Sequence, residues 1–182
     1  MKKVLRYLLM TVMALCISLP CLSAEAASVA LLPLINNVQG DEIANQVFYK
    51  NAIATMNKAK GFVMVENDKL TAAIEAANVG NEVPEESTMV KIAKDGNVDM
   101  VIAIQIDTIN DIPIYSSEEN KLKMDIKGYA ASYNALTGVY KKERIYNDSI
   151  VPEVFSSRWD LAHEEFGREV RKAITKALKA KK

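Results

Sequence analysis

The most constraining feature of this sequence is the run Val-Asp-Met-Val-Ile-Ala-Ile-Gln-Ile at residues 98–106. A solvent-facing helix would show polar residues every third or fourth position, and a strand with one wet face would alternate; this run does neither. Short, nearly continuous apolar runs rich in β-branched residues are typical of strands covered on both faces. A buried helix segment is the alternative, but the short length and the β-branching favour a strand in the middle of a sheet.

The first residues predict export. Basic residues precede an apolar stretch at residues 8–19, and a small-residue cleavage site ends at Ala26. This arrangement is typical of a secretory signal peptide, and the apolar stretch is too short to span a bilayer comfortably. We therefore predict a signal peptide over residues 1–26 and a single α/β domain over residues 27–182, with no transmembrane segment after cleavage.

Cys21 raises the question of a lipid anchor. Pro20 precedes it, where a lipoprotein signal has a small residue, so we do not expect lipid attachment at Cys21. The other cysteine, Cys16, also lies in the predicted signal peptide, which leaves the mature chain without a disulfide or a thiolate. Lys and Arg number 23, as do Asp and Glu, so no strong field favours nucleic acid. The predicted location is periplasmic or cell-envelope-associated, including peripheral association.

The rest of the chain alternates strands and helices and then changes to a hairpin. Predicted strands cover residues 29–35, 62–66, 98–106, 122–133 and 139–147; predicted helices cover residues 42–60, 69–77, 87–95 and 158–180; and predicted loops cover residues 110–120 and 148–157. Such alternation gives parallel strands with right-handed crossovers, and the period-two pattern after residue 121 predicts an antiparallel hairpin. The predicted fold is a single-domain α/β sandwich. Its mixed five-stranded sheet has three parallel strands plus the C-terminal antiparallel hairpin, in the order 2-1-3-4-5, with helices packed on it.

Four stretches carry a family resemblance. They are Val-Ala-Leu-Leu-Pro-Leu at residues 29–34 with the two asparagines that follow, residues 62–66, Gly-Asn-Val-Asp-Met-Val-Ile at residues 96–102, and Tyr-Asn-Ala-Leu-Thr-Gly-Val at residues 133–139. Together they resemble the domain shared by curli-secretion outer-membrane lipoproteins, lipoprotein activators of penicillin-binding proteins and the N-terminal domain of the Tol–Pal translocation protein. The chain departs from that pattern in lacking a convincing lipidation site and any long insertion. The resemblance therefore implies a stand-alone relative and not a secretion pore.

No constellation of catalytic residues stands out. His163 is the only histidine, and we interpret it as a surface residue of the last helix. The glutamate pairs at residues 85–86, 118–119 and 164–165 are adjacent in sequence, so their side chains diverge, and we interpret them as solvated charge. The sequence thus predicts no catalytic residue, no metal site, no cofactor and no enzyme activity.

Two predicted loops carry apolar segments, at residues 112–115 and 150–155. Such segments either fold back on their own domain or dock a partner, and the sequence leaves both readings open. The candidate partner-binding residues are Ile112, Ile114, Tyr115, Val151, Val154 and Phe155. The first functional hypothesis is an exported, non-enzymatic cell-envelope protein that binds another macromolecule, as an accessory or assembly factor of the kind that the resemblance implies.

Polar residues at strand ends suggest an alternative function. Ligand sites of α/β proteins form where parallel strands end, and the candidates there are Asn36, Asn37, Glu66 and Asp107. The alternative is therefore a small-ligand or glycan-binding module of the envelope. The predicted hairpin also carries Tyr129, Tyr133, Tyr140 and Tyr146. We interpret these tyrosines as packing under the last helix, with a stacking surface for a partner or glycan as the other possibility.

Overall fold

Seven strands and four helices make up the described part of the computed structural model, which comprises residues 26–115, 121–152 and 158–179. The strands are β1 (Ala27–Leu31), β2 (Ile35–Asn36), β3 (Phe62–Met64), β4 (Met100–Ile114), β5 (Lys121–Asn134), β6 (Val139–Asn147) and β7 (Ile150–Pro152). The helices are α1 (Ile43–Met56), α2 (Asp68–Ala77), α3 (Glu86–Gly96) and α4 (Arg158–Lys179). The predicted signal peptide lies almost wholly outside these residues and stays a prediction.

The sheet has the predicted topology. Its main path is β3-β1-β4-β5-β6, which corresponds to the order 2-1-3-4-5 of the predicted strands and confirms it. β1 pairs in parallel with β3 and β4, whereas β5 pairs antiparallel with both β4 and β6. The apolar run at residues 98–106 enters β4, and every β4 residue from Met100 to Ile106 is buried. The central, doubly covered strand predicted from that run is confirmed.

Each face of the sheet packs against a different pair of helices. α1 and α4 cover one face, where Phe48 and Phe166 are fully buried against β4 and β5. α2 and α3 cover the other face, and the core beneath them reaches β5 only as far as Ala131 and Tyr133. Burial of each large apolar side chain stabilises the fold by about 1.5 to 3 kcal/mol. Over the first half of β5, no described helix packs on the second face.

A β-bulge at Asp107 reverses the alternation of β4. The pairing register with β5 shifts between Ile106 and Thr108, which inserts one unpaired residue into β4. Ile106 faces the core beneath α1 and α4, and beyond the bulge Ile109 faces that same core. Because side chains alternate along a strand, the even-numbered residues after the bulge, such as Ile112, point to the opposite face.

Gly128 lies against the bulge on the neighbouring strand. It pairs with Ile106, the last residue before the register shift. A Cβ atom built on Gly128 would overlap the carbonyl oxygen of Gln105 and lie 3.1 Å from the Ile106 Cα atom. The two backbones approach so closely here that only glycine fits without a shift of one strand.

β4 is longer than the sequence suggests. The prediction of a loop over residues 110–120 is wrong for its first part, since β4 continues to Ile114. Pro113 argued against a strand because proline cannot donate to a ladder. After Ile106, where its pairing with β2 ends, β4 pairs only with β5 among the described residues. Pro113 therefore lies in an edge segment of β4, where proline is tolerated. β7 was likewise predicted as loop but pairs with β5.

His163 is buried, and its interpretation as a surface residue is wrong. Its Nε2 atom lies 3.0 and 2.9 Å from the two carboxylate oxygens of Asp41, and both side chains are buried. One of these oxygens also accepts a hydrogen bond of 3.0 Å from the backbone N–H of Ala44, in the first turn of α1. Burial of a polar group requires such a partner, and here the partner is 122 positions away along the chain.

Candidate functional site

The candidate site is the outer face of a three-stranded ribbon formed by the ends of β4 and β5 together with β7. Ile112 pairs with Lys123, which in turn pairs with Ile150. Directly opposed residues of antiparallel strands share a face, so the two isoleucines lie on the same side of the ribbon. Ile112 is 45% exposed and Ile150 is 57% exposed. We name this surface the outer ribbon face; it comprises Ile112, Ile114, Lys121, Lys123 and Ile150.

The opposite side of the same ribbon is core. Leu122 and Met124 of β5 are fully buried, and Val151 of β7 packs half-buried against the same cluster. A half-exposed strand ordinarily presents polar residues to solvent. The outer side of the ribbon instead carries three exposed isoleucines, Ile112, Ile114 and Ile150, which the folded domain does not bury. A grouped set of exposed apolar side chains is the usual mark of a contact surface.

The structure brings three of the six predicted partner-binding residues together. Ile112 and Ile114 lie on the outer ribbon face, and Tyr115 follows directly and is 70% exposed. Val151 faces the core and is half-buried, so it does not lie on the outer ribbon face, and its role in partner binding stays a prediction. Val154 and Phe155 lie outside the described residues, so their assignment stays a prediction.

Ile150 belongs to the site and was missed. A strand of three residues is too short to show an alternation in the sequence, so nothing distinguished Ile150 from Val151. Ile150 is placed in the site by its pairing with Lys123, which on its other side pairs with Ile112. The sequence alone does not show these pairings. The two apolar segments, predicted as separate loops, are strands of one ribbon.

The hairpin tyrosines lie on the sheet face that continues the outer ribbon face. Their interpretation as packing under the last helix is wrong, because α4 covers the opposite face. Tyr133 and Tyr140 pack against the core beneath α2 and α3. Tyr129 and Tyr146 are exposed, and each has a cation above its ring: the Lys142 ammonium at 5.3 Å and the Arg144 guanidinium at 5.2 Å from the ring centre. A role of the exposed rings in stacking against a partner stays a prediction.

Tyr140 ties the hairpin to the segment that precedes α3. Its hydroxyl donates a hydrogen bond of 3.0 Å to the carbonyl oxygen of Pro84. Burial, and after it the negative charges of Glu85 and Glu86, raises the pKa of Tyr140 above its ordinary value. The hydroxyl therefore keeps its proton across the physiological range and holds β6 against this segment as a donor.

The predicted ligand residues are only partly brought together. Asn37 donates a hydrogen bond of 2.8 Å to Asp107, and the amide of Gln105 donates to the same carboxylate oxygen at 2.6 Å. Asn36 instead holds its own loop, by donating to the carbonyl oxygen of Asp41 at 2.7 Å. Glu66 is exposed, and no hydrogen bond within the described ranges joins it to the other three.

A groove of about 410 Å³ lies beside these residues. Asn36 and Asn37 line it, together with apolar side chains that include Leu32 and Ile74. Asp107 and Glu66 do not line it. A pocket thus exists near the predicted place, but the side chains of Asn36 and Asn37, the two predicted residues that line it, already bond to the protein itself.

In residues 26–115, 121–152 and 158–179, no three His, Cys, Asp or Glu side chains are grouped so that they could hold a metal ion. Within that same part of the chain, no helix has both the length and the apolarity needed to cross a bilayer.

No known protein family matches the sequence, and no curated protein matches it. Solved structures match in fold. The hypothetical protein CT253 from Chlamydia trachomatis has a TM-score of 0.51 and 10% identity over 85% of this chain and 98% of its own. The lipoprotein GNA1162 from Neisseria meningitidis has a TM-score of 0.43 and 13% identity, over 82% and 99%. The C-terminal domain of LpoB from Salmonella enterica has a TM-score of 0.37 and 13% identity, over 71% and 84%.

At these identities the likeness concerns the fold alone. The chain shares its fold with CT253, and the two other likenesses are weaker. Membership of the family that the sequence resembles stays a prediction.

Proposed function

We propose that this protein is an exported, non-enzymatic protein of the cell envelope that binds another macromolecule through the outer ribbon face. The observation that carries the proposal is the exposure of Ile112 and Ile150 on one face, on either side of Lys123, in strands whose other face packs against the core. Folding gains nothing from apolar side chains on that side. Their burial against a partner would remove apolar surface from water, the dominant favourable term in most protein association.

The surroundings of the isoleucines suit an interface. Lys121 and Lys123 lie on the same face in the strand between them. An apolar centre bordered by polar residues is the ordinary anatomy of a protein–protein contact. The exposed Tyr115 adds an aromatic side chain of the kind that dominates binding energy at such contacts. The sequence resemblance to envelope accessory factors agrees with this role.

A photo-crosslinking experiment in cells tests the proposal. A photoreactive amino acid placed at Ile112 or at Ile150 should give a discrete adduct with one macromolecular partner, because both positions face outward on the ribbon. The double variant Ile112→Ser, Ile150→Ser should recover roughly tenfold less of that partner in pull-down.

Leu136 supplies the matched control. It is 60% exposed but lies in the β5–β6 turn, away from the ribbon. The same photoreactive residue at Leu136 should give no adduct, and Leu136→Ser should leave recovery unchanged. Adducts of equal yield from Leu136 and Ile112, or none from either ribbon position, would contradict the proposed surface.

Lipid attachment is a separate prediction, since the proposal does not require it. Cys21 lies outside the described residues, and we expect no lipid there because Pro20 precedes it. Cells grown with labelled palmitate should yield unlabelled protein, with fractionation placing it in the periplasm or loosely at the envelope. Label in the wild-type protein that disappears in Cys21→Ser would show a lipoprotein instead.

The alternative, a small-ligand or glycan-binding module, is favoured by the groove of about 410 Å³ beside Asn36 and Asn37. It is the second choice because Asn37 and Asp107 already satisfy one another. A ligand there would have to replace that hydrogen bond, which reduces the net gain from binding.

A further inference from the structure

A second groove lies where the C-terminal ends of α1 and α4 meet β3. None of its lining residues belongs to the outer ribbon face. Its volume is about 420 Å³, within the range of about 300 to 1,000 Å³ that is usual for small-molecule sites. The lining residues are Ala54, Thr55, Lys58, Ala59, Phe62, Arg171, Thr175, Leu178 and Lys179. They are therefore four apolar, two hydroxyl and three cationic side chains.

The charge of this groove is one-sided. Three cations line it and no acidic side chain does, although the chain as a whole has as many acidic as basic residues. Lys58 and Lys179 form no ion pair with any described residue. Arg171 donates to the side-chain oxygen of Asn51, which is neutral, so the guanidinium keeps its positive charge. A negatively charged group is what such a rim would attract.

The apolar floor excludes a simple electrostatic explanation. Cations near helix C-termini are favoured by the helix dipole, which would account for Lys179 at the end of α4. The dipole does not account for the apolar floor between the two helices, formed by Phe62, Leu178 and alanines. An inorganic anion would leave that floor in water, whereas an alkyl chain would cover it.

The shape of the floor favours one alkyl chain over a membrane surface. Binding to a bilayer interface uses large apolar side chains that protrude into the lipid. Here Leu178 is 7% exposed and Phe62 is half-buried, and the remaining apolar lining consists of alanines. Because these apolar side chains are recessed between the helices, the groove suits an inserted alkyl chain better than the surface of a bilayer.

We propose that this groove binds a monomeric anionic amphiphile: one alkyl chain on the apolar floor, with a carboxylate or phosphate head group at Lys58, Arg171 and Lys179. This site shares no residue with the outer ribbon face. Its test and that of the proposed macromolecular partner therefore succeed or fail separately.

Isothermal titration calorimetry on the purified protein tests the site. Dodecanoate and dodecyl phosphate, each below its micelle concentration, should bind saturably at one site per chain. Dodecyltrimethylammonium, which has the same alkyl chain and the opposite charge, should bind at least about tenfold more weakly. Raised salt should weaken the binding of the two anions, because their contacts with the lysines are exposed.

Charge reversal locates the ligand. The double variant Lys58→Glu, Lys179→Glu should weaken dodecanoate binding by about tenfold or more, since two attractive contacts become repulsive. The matched control is Lys69→Glu, Lys91→Glu, which changes two exposed lysines on α2 and α3, across the sheet from the groove, and should leave binding unchanged. All four substituted lysines are exposed, and circular dichroism checks that each variant is folded.

Three results would overturn the proposal. One is equal affinity for dodecanoate and dodecyltrimethylammonium, which is the behaviour of non-specific detergent binding. The second is equal weakening by the groove variant and the control variant. The third is binding to phosphatidylglycerol vesicles without any binding of monomeric dodecanoate, which would make this end of the molecule a membrane-contact surface.

Discussion

Replacing Asp41 with alanine is expected to lower the free energy of unfolding by about 2 to 4 kcal/mol. The substitution removes both oxygens that lie 2.9 and 3.0 Å from His163 Nε2, inside the core between α1 and α4. A buried donor left without an acceptor costs its full desolvation penalty. The backbone N–H of Ala44 loses its acceptor as well, and a lost bond in the first turn of a helix costs about 1 kcal/mol. Urea unfolding followed by circular dichroism measures the loss.

Two companion variants separate the buried pair from a general effect of removing a carboxylate. Asp41→Asn keeps the volume and one acceptor oxygen, so its loss should be smaller than that of Asp41→Ala. Asp68→Ala removes an exposed carboxylate from the first turn of α2, and its loss should stay near or below about 1 kcal/mol. If Asp41→Ala and Asp68→Ala destabilise equally, the contact with His163 contributes no more to stability than an exposed helix-start charge does.

The parallel half of the sheet could be predicted because its signals are local. The apolar run at residues 98–106 needs both faces covered, whichever helices do so, and it becomes the buried start of β4. Asn67 precedes α2 and accepts a hydrogen bond from the Leu70 backbone at 2.9 Å, which is the role that its residue type favours at a helix start. Features of this kind depend on residues a few positions apart, so the sequence displays them directly.

The features that the sequence did not display depend on distant pairings. The spacing of His163 from Phe166, Val170 and Ile174 places it on the apolar stripe of the last helix, but its partner Asp41 is reached only when α4 packs against α1. The direction of Ile112 depends on the bulge at Asp107, because one inserted residue turns every later side chain to the other face. Without the bulge, Ile112 would point into the core and no apolar site would exist on the ribbon. The two predicted segments contribute strands to the candidate surface, and which of their side chains lie on it depends on the register.

Replacing Gly128 with alanine is expected to destabilise the protein by about 3 kcal/mol. The added Cβ atom would occupy the space of the Gln105 carbonyl oxygen and lie 3.1 Å from the Ile106 Cα atom, and both of these are backbone groups that cannot rotate away. Relief requires β4 and β5 to separate at the bulge, which breaks ladder hydrogen bonds on either side. Denaturant unfolding measures the loss, and hydrogen exchange of β4 and β5 amides locates it.

Gly80→Ala is the matched control for this prediction. A Cβ atom at Gly80 meets no atom within 4 Å, and its backbone is not in the left-handed region. Its substitution should therefore leave stability unchanged or raise it by about 0.4 to 1 kcal/mol through the lower entropy of the unfolded chain. Because the bulge also orients the outer ribbon face, Gly128→Ala should lower the photo-crosslinking yield from position 112, whereas Gly80→Ala should not. If the two variants were equally stable, the strands would not be held in close contact at Gly128. The bulge would then no longer explain the orientation of the outer ribbon face.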